Sequence, residues 1–569
     1  MKALSLFGVL LLAHLMSLFG RHIPLSAWTP IAYFWQDMLV ALVFAFVDFC
    51  TKRTRAGWVL YAAAVVYVAI NVPVTRVLST PLTLPMLRAA RGPLSDSIAY
   101  YFTPLNVGAI VLVLASGVLF PVLLSRLKLR FTKLLFVVGA AIVAVGPLSV
   151  SKVETVGMHR NAFGALLPIR PPAFTGSPGS GDWRVSPFPP FPDSAKVSQF
   201  RGGAAGRNVV LILLESTASR YLRLYGAAED PTPNLTQLGS QAIVFENAYS
   251  VYPESIRGLF AVLCSQYPKF GAPADDYPAA PCISIAEQLR QVGYRTALFH
   301  SGRFMYLGMK SVVENRGFET LEDAGDIGGN VNSSFGVDEP SAVKRMLAWI
   351  DSAAGQRFFL TYIPVAGHHP YATPDPGPFP NTSDISNYRN ALHYGDASLG
   401  ELLTGLRARK LDTQTLFVIF GDHGEAFGQH EGNYGHSFFL YDENIRVPYI
   451  VAAPGLIQNQ ERLRNGASLI DTAPTILDLL GLPVPSRFQG KSLLDGKPRM
   501  ALFFTDYSLG FLGLNDSCWK MIFETESKRS RLYDVCMDPQ ETQDLAPGNE
   551  PHVTAYRAIL ERWIADQNN

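Results

Sequence analysis

The sequence predicts an α/β protein that has five N-terminal transmembrane helices, an α/β/α sandwich around a mainly parallel sheet, and a small C-terminal antiparallel subdomain. Apolar stretches dominate the first 150 residues, and buried strand patterns alternate with amphipathic helical patterns after Asn208. Two short strand patterns also flank the polar turn Ser527–Ser530. We therefore expect a membrane domain at 1–150, a linker at 151–206 and a globular domain at 207–569.

The length and the charge of the chain limit the classes of protein it can belong to. At 569 residues, the chain is too long for one ordinary domain. Its 48 basic and 47 acidic residues nearly cancel, so the charge does not favour nucleic acid as a partner.

Five apolar stretches predict a membrane-integral protein. They are Leu4–Gly20, Ile31–Cys50, Trp58–Val74, Leu105–Ser125 and Leu134–Leu148, each near or slightly below the length of a spanning helix. One such stretch alone fits a buried helix of a soluble domain, but five together favour a membrane. The first stretch is alternatively a cleaved signal peptide, although Gly20-Arg21 is a poor cleavage site.

Basic residues between the spans predict the orientation of the chain. The loops after the second and fourth spans contain Lys52, Arg53, Arg55, Arg126, Lys128, Arg130 and Lys133. Because cytoplasmic loops are enriched in Lys and Arg, these loops and the N-terminus are predicted to be cytoplasmic. The odd number of spans then places the chain after about residue 150 outside.

Four of the five cysteines lie in this outer part. Cys518 and Cys536 flank a predicted hairpin, and Cys264 and Cys282 are also near in sequence. An oxidising compartment permits disulfides, so we predict the bridges Cys264–Cys282 and Cys518–Cys536.

Two carboxyl groups lie within or at the edges of the second span, at Asp37 and Asp48. A carboxyl at membrane depth is often functional, whereas one near a span end reaches the interface, and both interpretations stay open. The outer loop Thr75–Pro104 is expected to contain an interfacial helix beneath the candidate site. The stretch 151–206 is rich in Pro, Gly and Ser and is expected to form an extended linker.

Two buried strand patterns end in residue types that bind metals. Leu416–Phe420 is followed by Gly421, Asp422 and His423, and Val209–Leu214 is followed by Glu215. Parallel strands of an open α/β sheet present functional groups at their carboxyl ends, so these side chains are expected to meet. Two carboxylates and an imidazole suit one divalent metal, and an ordinary polar exit from each strand is the alternative.

Ser255 precedes an apolar helical pattern and is a candidate nucleophile. A helix that begins there places the hydroxyl at a positive helix end, where backbone N–H groups can also bind an oxyanion. A serine needs a base or a metal to approach an alkoxide at neutral pH, and a plain helix cap is the alternative role. Arg257 suits an anionic substrate oxygen, or is a solvated surface charge.

Several histidines follow strand patterns whose loops should converge over the same edge of the sheet. His368 follows FFLTYIPV, and His436 follows Asp422 within the same loop region. Each alone fits a surface or core histidine, but their shared placement favours a function. His300 and His430 have a weaker claim to the same pocket.

Four longer segments resemble a known family: DHGEAFGQHEGNYGH, NIRVPYIV, SLIDTAPTILDLLGLP with the following QGKSLL, and LYDVCMDPQETQDLA. The chain from Asn208 to about Ala546 resembles the sulfatase and alkaline-phosphatase superfamily. It is more similar to the membrane-bound transferases of that superfamily, the lipoteichoic-acid synthases and lipid A phosphoethanolamine transferases. This resemblance implies an alkaline-phosphatase-like sandwich after five membrane helices, in a bacterial inner (plasma) membrane, with the catalytic domain extracytoplasmic.

The resemblance also implies residue roles. Glu215, Asp422 and His423 match metal ligands, and Ser255 falls where the transferases have a nucleophilic threonine that the metal activates. His368 and His436 match substrate-binding or proton-transferring histidines, and Arg257, His300 and His430 are substrate-binding candidates. Zinc suits a serine, two carboxylates and a histidine in tetrahedral array, with manganese or magnesium as alternatives.

The implied function is a transferase that moves a phosphoglycerol or phosphoethanolamine group from a membrane lipid to a glycan or lipid acceptor. Ser255 would carry the group covalently. The alternative is a hydrolase of phosphate or sulfate esters, and a catalytically inactive membrane sensor is a third interpretation. True sulfatases need Cys or Ser followed by x-P-x-R for conversion to formylglycine, and Ile256-Arg257-Gly258-Leu259 departs from that motif. The sequence leaves the headgroup, the acceptor and the oligomeric state open.

Overall fold

The computed structural model describes residues 2–51, 55–89, 95–126, 132–169, 172, 181–189, 197–272, 274–305, 308–333 and 335–568. The helices of the N-terminal part are α1 (Lys2–Leu18), α2 (Thr29–Cys50), α3 (Arg55–Leu78), α4 (Leu84–Ala89), α5 (Ser95–Tyr100), α6 (Pro104–Ser125) and α7 (Thr132–Lys152).

The membrane helices agree with the prediction in kind and approximately in number. Within the described residues, four helices are long and apolar enough to cross a bilayer: α2, α3, α6 and the Leu134–Lys152 part of α7. Helix α1 is apolar but shorter, at 17 residues. Large apolar side chains such as Phe46, Val118 and Val137 are exposed, as expected of helices that face lipid. The basic residues Lys52, Arg53, Lys128 and Arg130, on which the predicted orientation depends, lie outside the described residues.

Asp37 and Asp48 both form pairs inside the protein. Asp37 Oδ2 lies 2.6 Å from His14 Nδ1, and its other oxygen accepts from the Asn161 amide. Asp48 Oδ1 accepts from Lys2 Nζ at 2.7 Å. Asp37 therefore joins α1 and α2 to the chain that follows α7.

Residues 153–163, which we call the junction segment, are packed between the membrane helices and the globular part. On the membrane side, Met158 O lies 2.7 Å from His14 Nε2. On the other side, Arg160 donates to Ser508 O, and His159 Nε2 lies 3.3 Å from a carboxylate oxygen of Glu526. The predicted extended linker is thus packed in its first part, while residues 170–171, 173–180 and 190–196 lie outside the described residues.

The strands of the globular part are β1 (Asn208–Leu214), β2 (Ala242–Tyr249), β3 (Arg295–His300), β4 (Thr320–Glu322), β5 (Val331–Ser333), β6 (Gly336–Val337), β7 (Phe358–Ile363), β8 (Thr415–Gly421), β9 (Ala426–Phe427), β10 (Tyr434–Gly435), β11 (Arg446–Val447), β12 (Tyr449–Ala452), β13 (Glu461–Ser468), β14 (Ala501–Thr505), β15 (Phe511–Asp516), β16 (Trp519–Glu524) and β17 (Ser530–Asp534).

Its helices are α8 (Pro233–Gly239), α9 (Ser255–Cys264), α10 (Ile285–Gln291), α11 (Met309–Val313), α12 (Ala324–Ile327), α13 (Glu339–Asp351), α14 (Asp384–Ala408), α15 (Asp442–Ile445), α16 (Thr472–Leu479) and α17 (Glu550–Asn568).

The main sheet is largely parallel, as predicted. Among the described residues its order is β11-β2-β12-β8-β1-β7-β3-β4, with β13 parallel to β2 on a side branch. Strand β1 is parallel to both β7 and β8, and β12 is antiparallel to both β8 and β2. Alternate residues of β1 face two separate apolar cores, with Leu211 on one side and Ile212 on the other. Helices cover both faces, which is the predicted α/β/α sandwich.

The predicted C-terminal subdomain is an antiparallel sheet in the order β14-β15-β16-β17. Strands β16 and β17 form the expected hairpin. Both predicted disulfides are present, Cys264–Cys282 with Cα atoms 5.3 Å apart and Cys518–Cys536 with Cα atoms 5.1 Å apart. The first of them fixes the C-terminal end of α9.

Candidate active site

The site begins where two neighbouring parallel strands end. In the register of β1 and β8, Leu214 pairs with Gly421, so the next residues, Glu215 and Asp422, leave the sheet side by side. A Cβ atom on Gly421 would lie 2.2 Å from Thr217 O, so only glycine permits the backbone segments after β1 and at the end of β8 to approach this closely. The N–H of Ser216 then donates to Asp422 Oδ1 at 3.0 Å and links the two strand ends.

His423 turns its Nε2 atom toward both carboxylates. Its Nδ1 lies 3.0 Å from Gly424 O, which only accepts, so we assign the hydrogen to Nδ1. Nε2 then lies 3.5 Å from Glu215 Oε1 and 3.5 Å from Asp422 Oδ2. A carbonyl that fixes the tautomer of a histidine in this way is typical of metal ligands.

Glu215, Asp422 and His423 fit a divalent metal by donor type and by geometry. All three are buried, and one ligand atom from each lies within 4.8 Å of the others. Asp422 Oδ1 accepts from two backbone N–H groups, while Asp422 Oδ2 is buried and has no hydrogen-bond partner in the structure. A buried carboxylate oxygen without a donor, opposite a second carboxylate and an imidazole lone pair, is a favourable place for a cation.

The pKa values of the metal-free protein show the same need for positive charge. Burial, followed by the neighbouring Asp422 carboxylate, raises the pKa of Glu215 to about 8. Burial alone would lower the pKa of His423, but Asp422 and Glu215 outweigh it and raise that pKa above its usual value. Without a metal, protons therefore take the place of the missing cation.

Ser255 is the first residue of α9, and its hydroxyl lies against the candidate metal ligands. Ser255 Oγ donates to Glu215 Oε2 at 3.1 Å and lies 3.2 Å from His423 Nε2. The helix cap is Glu254, whose carboxylate accepts from the N–H groups of Ile256 and Arg257, each at 3.3 Å. Glu254 therefore caps the helix, and Ser255 is not the cap. The N–H groups of Ile256 and Arg257 already have a partner, which does not favour the expected binding of an oxyanion by backbone N–H groups at this helix end.

His436 lies beside His423 and is held by a carboxylate that the sequence interpretation did not assign. The two imidazole centroids are 4.1 Å apart. His436 Nδ1 lies 2.9 Å from Glu425 Oε2, and Tyr371 donates to Glu425 Oε1 at 2.6 Å. Glu425 ends the stretch Thr415–Glu425 three residues after Asp422, so its position at the same strand exit was the available signal. Tyr371 had no such signal.

His368 and His300 lie at the carboxyl edge of the sheet in different settings. His368 Nδ1 lies 2.7 Å from His369 O, and its ring packs 4.0 Å from the Phe335 ring. Its removal from water lowers the pKa of His368 to about 3, so this ring is neutral and is a poor proton carrier. His300 is buried at the end of β3, where its Nδ1 lies 2.9 Å from Ile363 O. One strand, β7, lies between β3, which ends at His300, and β1, which Glu215 follows.

His430 and Arg257 have partners of their own. His430 Nδ1 lies 2.7 Å from Glu443 and Nε2 lies 3.2 Å from Glu541 O, so protein groups engage both ring nitrogens. The Arg257 guanidinium pairs with Asp506, lies 4.5 Å above the Tyr252 ring, and donates to Ala272 O at 2.7 Å. These contacts give both side chains a structural role, and they do not favour the predicted substrate-binding roles.

The comparison with protein families agrees with this geometry. The Sulfatase family model matches residues 207–482, which contain Glu215, Ser255, Asp422 and His423. The chain belongs to the sulfatase and alkaline-phosphatase superfamily. A second family model, that of the C-terminal part of N-sulphoglucosamine sulphohydrolase, matches residues 430–567. This range contains the antiparallel subdomain of the present chain.

Curated relatives in the superfamily include both lipoteichoic acid synthases and arylsulfatases by name. Lipoteichoic acid synthase-like YvgJ of Bacillus subtilis (strain 168) is 25% identical over 326 residues, which are 53% of this chain and 52% of the relative. Arylsulfatase K of Canis lupus familiaris is 31% identical over 189 residues, which are 29% of this chain and 34% of that protein. The chain thus matches about half, or less, of the length of these relatives.

Solved structures show the same fold. The lipoteichoic acid synthase LtaP from Listeria monocytogenes superposes with a TM-score of 0.51 at 19% identity, covering 65% of this chain and 94% of that chain. BT1596, a 2-O GAG sulfatase, superposes with a TM-score of 0.54 at 19% identity, covering 64% and 93%. With its apolar helices, this chain is a membrane protein of the sulfatase superfamily.

Proposed function

We propose that this protein is a membrane-anchored, metal-dependent transferase that moves a phosphoglycerol or phosphoethanolamine group from a phospholipid to a cell-envelope acceptor. The observation that carries the proposal is the position of Ser255 Oγ, 3.1 Å from Glu215 Oε2 and 3.2 Å from His423 Nε2. A hydroxyl that contacts two candidate metal ligands, in a chain with membrane-spanning helices, suits a nucleophile that acts on a lipid.

The chemistry divides among the residues as follows. Glu215, Asp422, His423 and Ser255 would hold one divalent metal, which when bound polarises a phosphoryl oxygen and lowers the pKa of a nearby hydroxyl. Zinc suits this donor set, and manganese or magnesium are alternatives. Ser255 Oγ attacks the phosphorus of the donor lipid, a new Oγ–P bond forms, and the bond from phosphorus to the diacylglycerol oxygen breaks.

His436 is the better candidate for the proton transfers. Glu425 holds its Nδ1 at 2.9 Å, which leaves Nε2 for the substrate, whereas His368 has a strongly lowered pKa. His436 gives a proton to the departing diacylglycerol oxygen and later takes one from the acceptor hydroxyl. The acceptor oxygen then attacks phosphorus, and Ser255 leaves as the alkoxide in which it entered the cycle, its proton having been released to solvent before the first attack. The lipoteichoic acid synthases among the relatives support a transfer of this kind.

Hydrolysis of phosphate or sulfate esters is the second candidate function. The arylsulfatase K relatives favour it, since they match the chain at similar levels of identity. Water then replaces the acceptor hydroxyl in the second step. The absence of the x-P-x-R motif after Ser255 favours an unmodified serine in either reaction.

A labelled phospholipid distinguishes the two functions. The full-length protein, reconstituted in vesicles with phospholipid labelled in the headgroup, is expected to release diacylglycerol and to transfer the label to a glycan or lipid hydroxyl. Release of the label as free headgroup phosphate instead identifies a hydrolase. Trapping the covalent adduct and weighing the Ser255 peptide names the transferred group. An active Ser255→Ala variant, with no adduct on the wild type, would refute the nucleophile.

A further inference from the structure

Two different parts of the protein position the residues of the candidate site. The metal-ligating residues Glu215, Asp422 and His423 follow β1 and β8 at the centre of the sheet. The proton-transferring candidate His436 instead lies in the loop 428–436, which contacts the membrane part. Glu431 in this loop accepts from the backbone N–H of His22, between α1 and α2, at 2.5 Å, and β10 contacts α3.

A second contact reaches the site from the membrane part through Tyr101. This residue lies between α5 and α6, and its carbonyl accepts from the Asn106 side chain at 2.9 Å, which ties it to the first turn of α6. The Tyr101 ring is stacked on the His369 ring, with an interplanar angle of 6° and centroids 5.7 Å apart. Its neighbour Tyr100 lies edge-on to His369 and donates to Asp384 Oδ1 at 2.5 Å.

From His369, contacts continue to the candidate acid and base. Residues 368–371 form a turn in which the Tyr371 N–H donates to His368 O at 2.8 Å, and the His369 and Tyr371 rings are 5.3 Å apart. The buried Tyr371 hydroxyl donates to Glu425 Oε1 at 2.6 Å, and Glu425 Oε2 lies 2.9 Å from His436 Nδ1. Each step is a direct ring contact or a hydrogen bond, so a displacement of the turn changes how Glu425 holds His436.

We propose that Tyr101, contributed by the membrane part of the chain, is a positioning residue for His436 and acts through the 368–371 turn, Tyr371 and Glu425. The proposal rests on the proposed function only in giving His436 the proton transfers. It means that the sheet alone can assemble the metal-ligating residues, whereas the complete site needs the segment before α6 in place.

A double-mutant cycle tests the path in the full-length protein. The substrate is a glycerophosphodiester without acyl chains, so that the binding of lipid tails is not measured. Tyr101→Ala removes the stacked ring, and Tyr371→Phe removes only the hydroxyl that reaches Glu425. We expect each change to lower kcat by about tenfold or more with a smaller change in KM. The kcat of the double variant should be no lower than that of the more impaired single variant. Metal content should stay at the wild-type level.

Two further variants separate the stack from general damage. Tyr101→Phe keeps the ring and should restore most of kcat. Phe102→Ala removes an adjacent ring that is 70% exposed, and it should leave kcat unchanged. Losses that multiply in the double variant, a Tyr101→Phe variant as impaired as Tyr101→Ala, or an equal loss in Phe102→Ala would each overturn the proposal.

If the proposed transferase function is wrong, the result differs from the results that would overturn the role of Tyr101. In that case the wild type does not turn over the phosphodiester, and the same cycle is run with an aryl sulfate or aryl phosphate that it does hydrolyse. Coupled losses there still support the positioning role of Tyr101, and independent losses still refute it.

Discussion

The state of a single oxygen atom, Asp422 Oδ2, is the most informative detail of the candidate site. It is buried, it has no donor, and it faces Glu215 and His423. Removing its charge should have opposite effects on metal binding and on the metal-free fold, because the same charge attracts a cation and repels Glu215.

We expect Asp422→Asn to lower the affinity for the divalent metal by more than about a hundredfold. The metal-free variant should be at least as stable as the metal-free wild type, because one of two facing carboxylates has lost its charge. Metal content per chain and thermal unfolding after chelation measure the two effects. Asp396→Asn is the matched control, since Asp396 is also buried but accepts from the N–H groups of Asn234 and Leu235 at the start of α8. The control should lose stability and keep its metal, and an Asp422→Asn protein that keeps its metal would place the ion elsewhere.

The stability of the metal-free protein should depend on pH through Glu215. Its pKa is raised from 4.5 to about 8, so the folded state holds a proton there that the unfolded chain has released. This contribution to stability is complete below the unfolded pKa and is lost as pH rises through the folded one. We expect Tm of the chelated protein to fall from about pH 5 to about pH 8 more steeply than Tm of Glu215→Gln. Metal affinity should rise over the same interval, because binding displaces that proton. Equal slopes for both proteins would contradict the assignment.

At the scale of elements, β1, β8 and α9 each deliver one part of the site. The disulfide Cys264–Cys282 holds α9 at the end opposite Ser255, and Cys518–Cys536 closes the β16–β17 hairpin. The two bridges span equal lengths of chain, each with a sequence separation of 18 residues. They therefore form a natural pair for comparison.

Replacing either pair of cysteines with serine should lower the free energy of unfolding by about 3 kcal/mol, as the loop length predicts. Activity should separate the two variants. Loss of Cys264–Cys282 is expected to reduce kcat several-fold at temperatures well below Tm, because α9 carries Ser255. Loss of Cys518–Cys536 should leave kcat near the wild-type value. Chemical denaturation and initial rates measure the two quantities, and equal effects on kcat would show that the bridge does not influence Ser255.

The placement of the candidate metal ligands could be predicted because a local pattern determines it. A run of buried branched and aromatic residues indicates a central strand, and a carboxylate directly after it must emerge at the carboxyl edge, as Glu215 and Asp422 do. The histidines could not be separated in this way. His430 and His436 follow Asp422 in the same loop, and what distinguishes them is the partner of each ring, Glu443 or Glu425, which is set by tertiary packing.

The same limit explains the junction segment and Tyr101. Residues 153–163 fall at the start of the predicted linker, and the sequence does not indicate their packing because their partners, such as His14, Asp37 and Ser508, are distant in sequence. Tyr101 lies in a short turn before an apolar helix, and nothing near it in sequence indicates the stack on His369. Contacts between the membrane helices and the globular part are not encoded in local periodicity.

At the scale of the whole molecule, the junction segment joins the membrane helices to the globular part. Its membrane side depends on Asp37, which binds both His14 and Asn161. Asp48, near the C-terminal end of α2, pairs with Lys2. We therefore expect the two carboxylates of α2 to contribute differently to the stability of the protein.

We expect Asp37→Ala to destabilise the protein in detergent by about 3 kcal/mol, because it leaves His14 Nδ1 and the Asn161 side-chain NH₂ group without their carboxylate partner. Residues 153–163 should then become accessible to proteases. Asp48→Ala removes the one carboxylate that pairs with Lys2 and should cost about 1.5 kcal/mol, less than Asp37→Ala. Thermal unfolding and limited proteolysis measure both effects. Equal losses, or a junction segment that stays protected in Asp37→Ala, would show that Asp37 does not hold the two parts together.

The packed junction segment also has a consequence for the choice of acceptor. A catalytic part on a loose tether could sweep a wide volume above the bilayer, but one that is packed against the helix ends keeps Ser255 at a nearly constant height. In the proposed transfer, an acceptor hydroxyl reacts only if its own carrier brings it to that height. The protein would thus select acceptors by their distance from the membrane surface as well as by their chemistry.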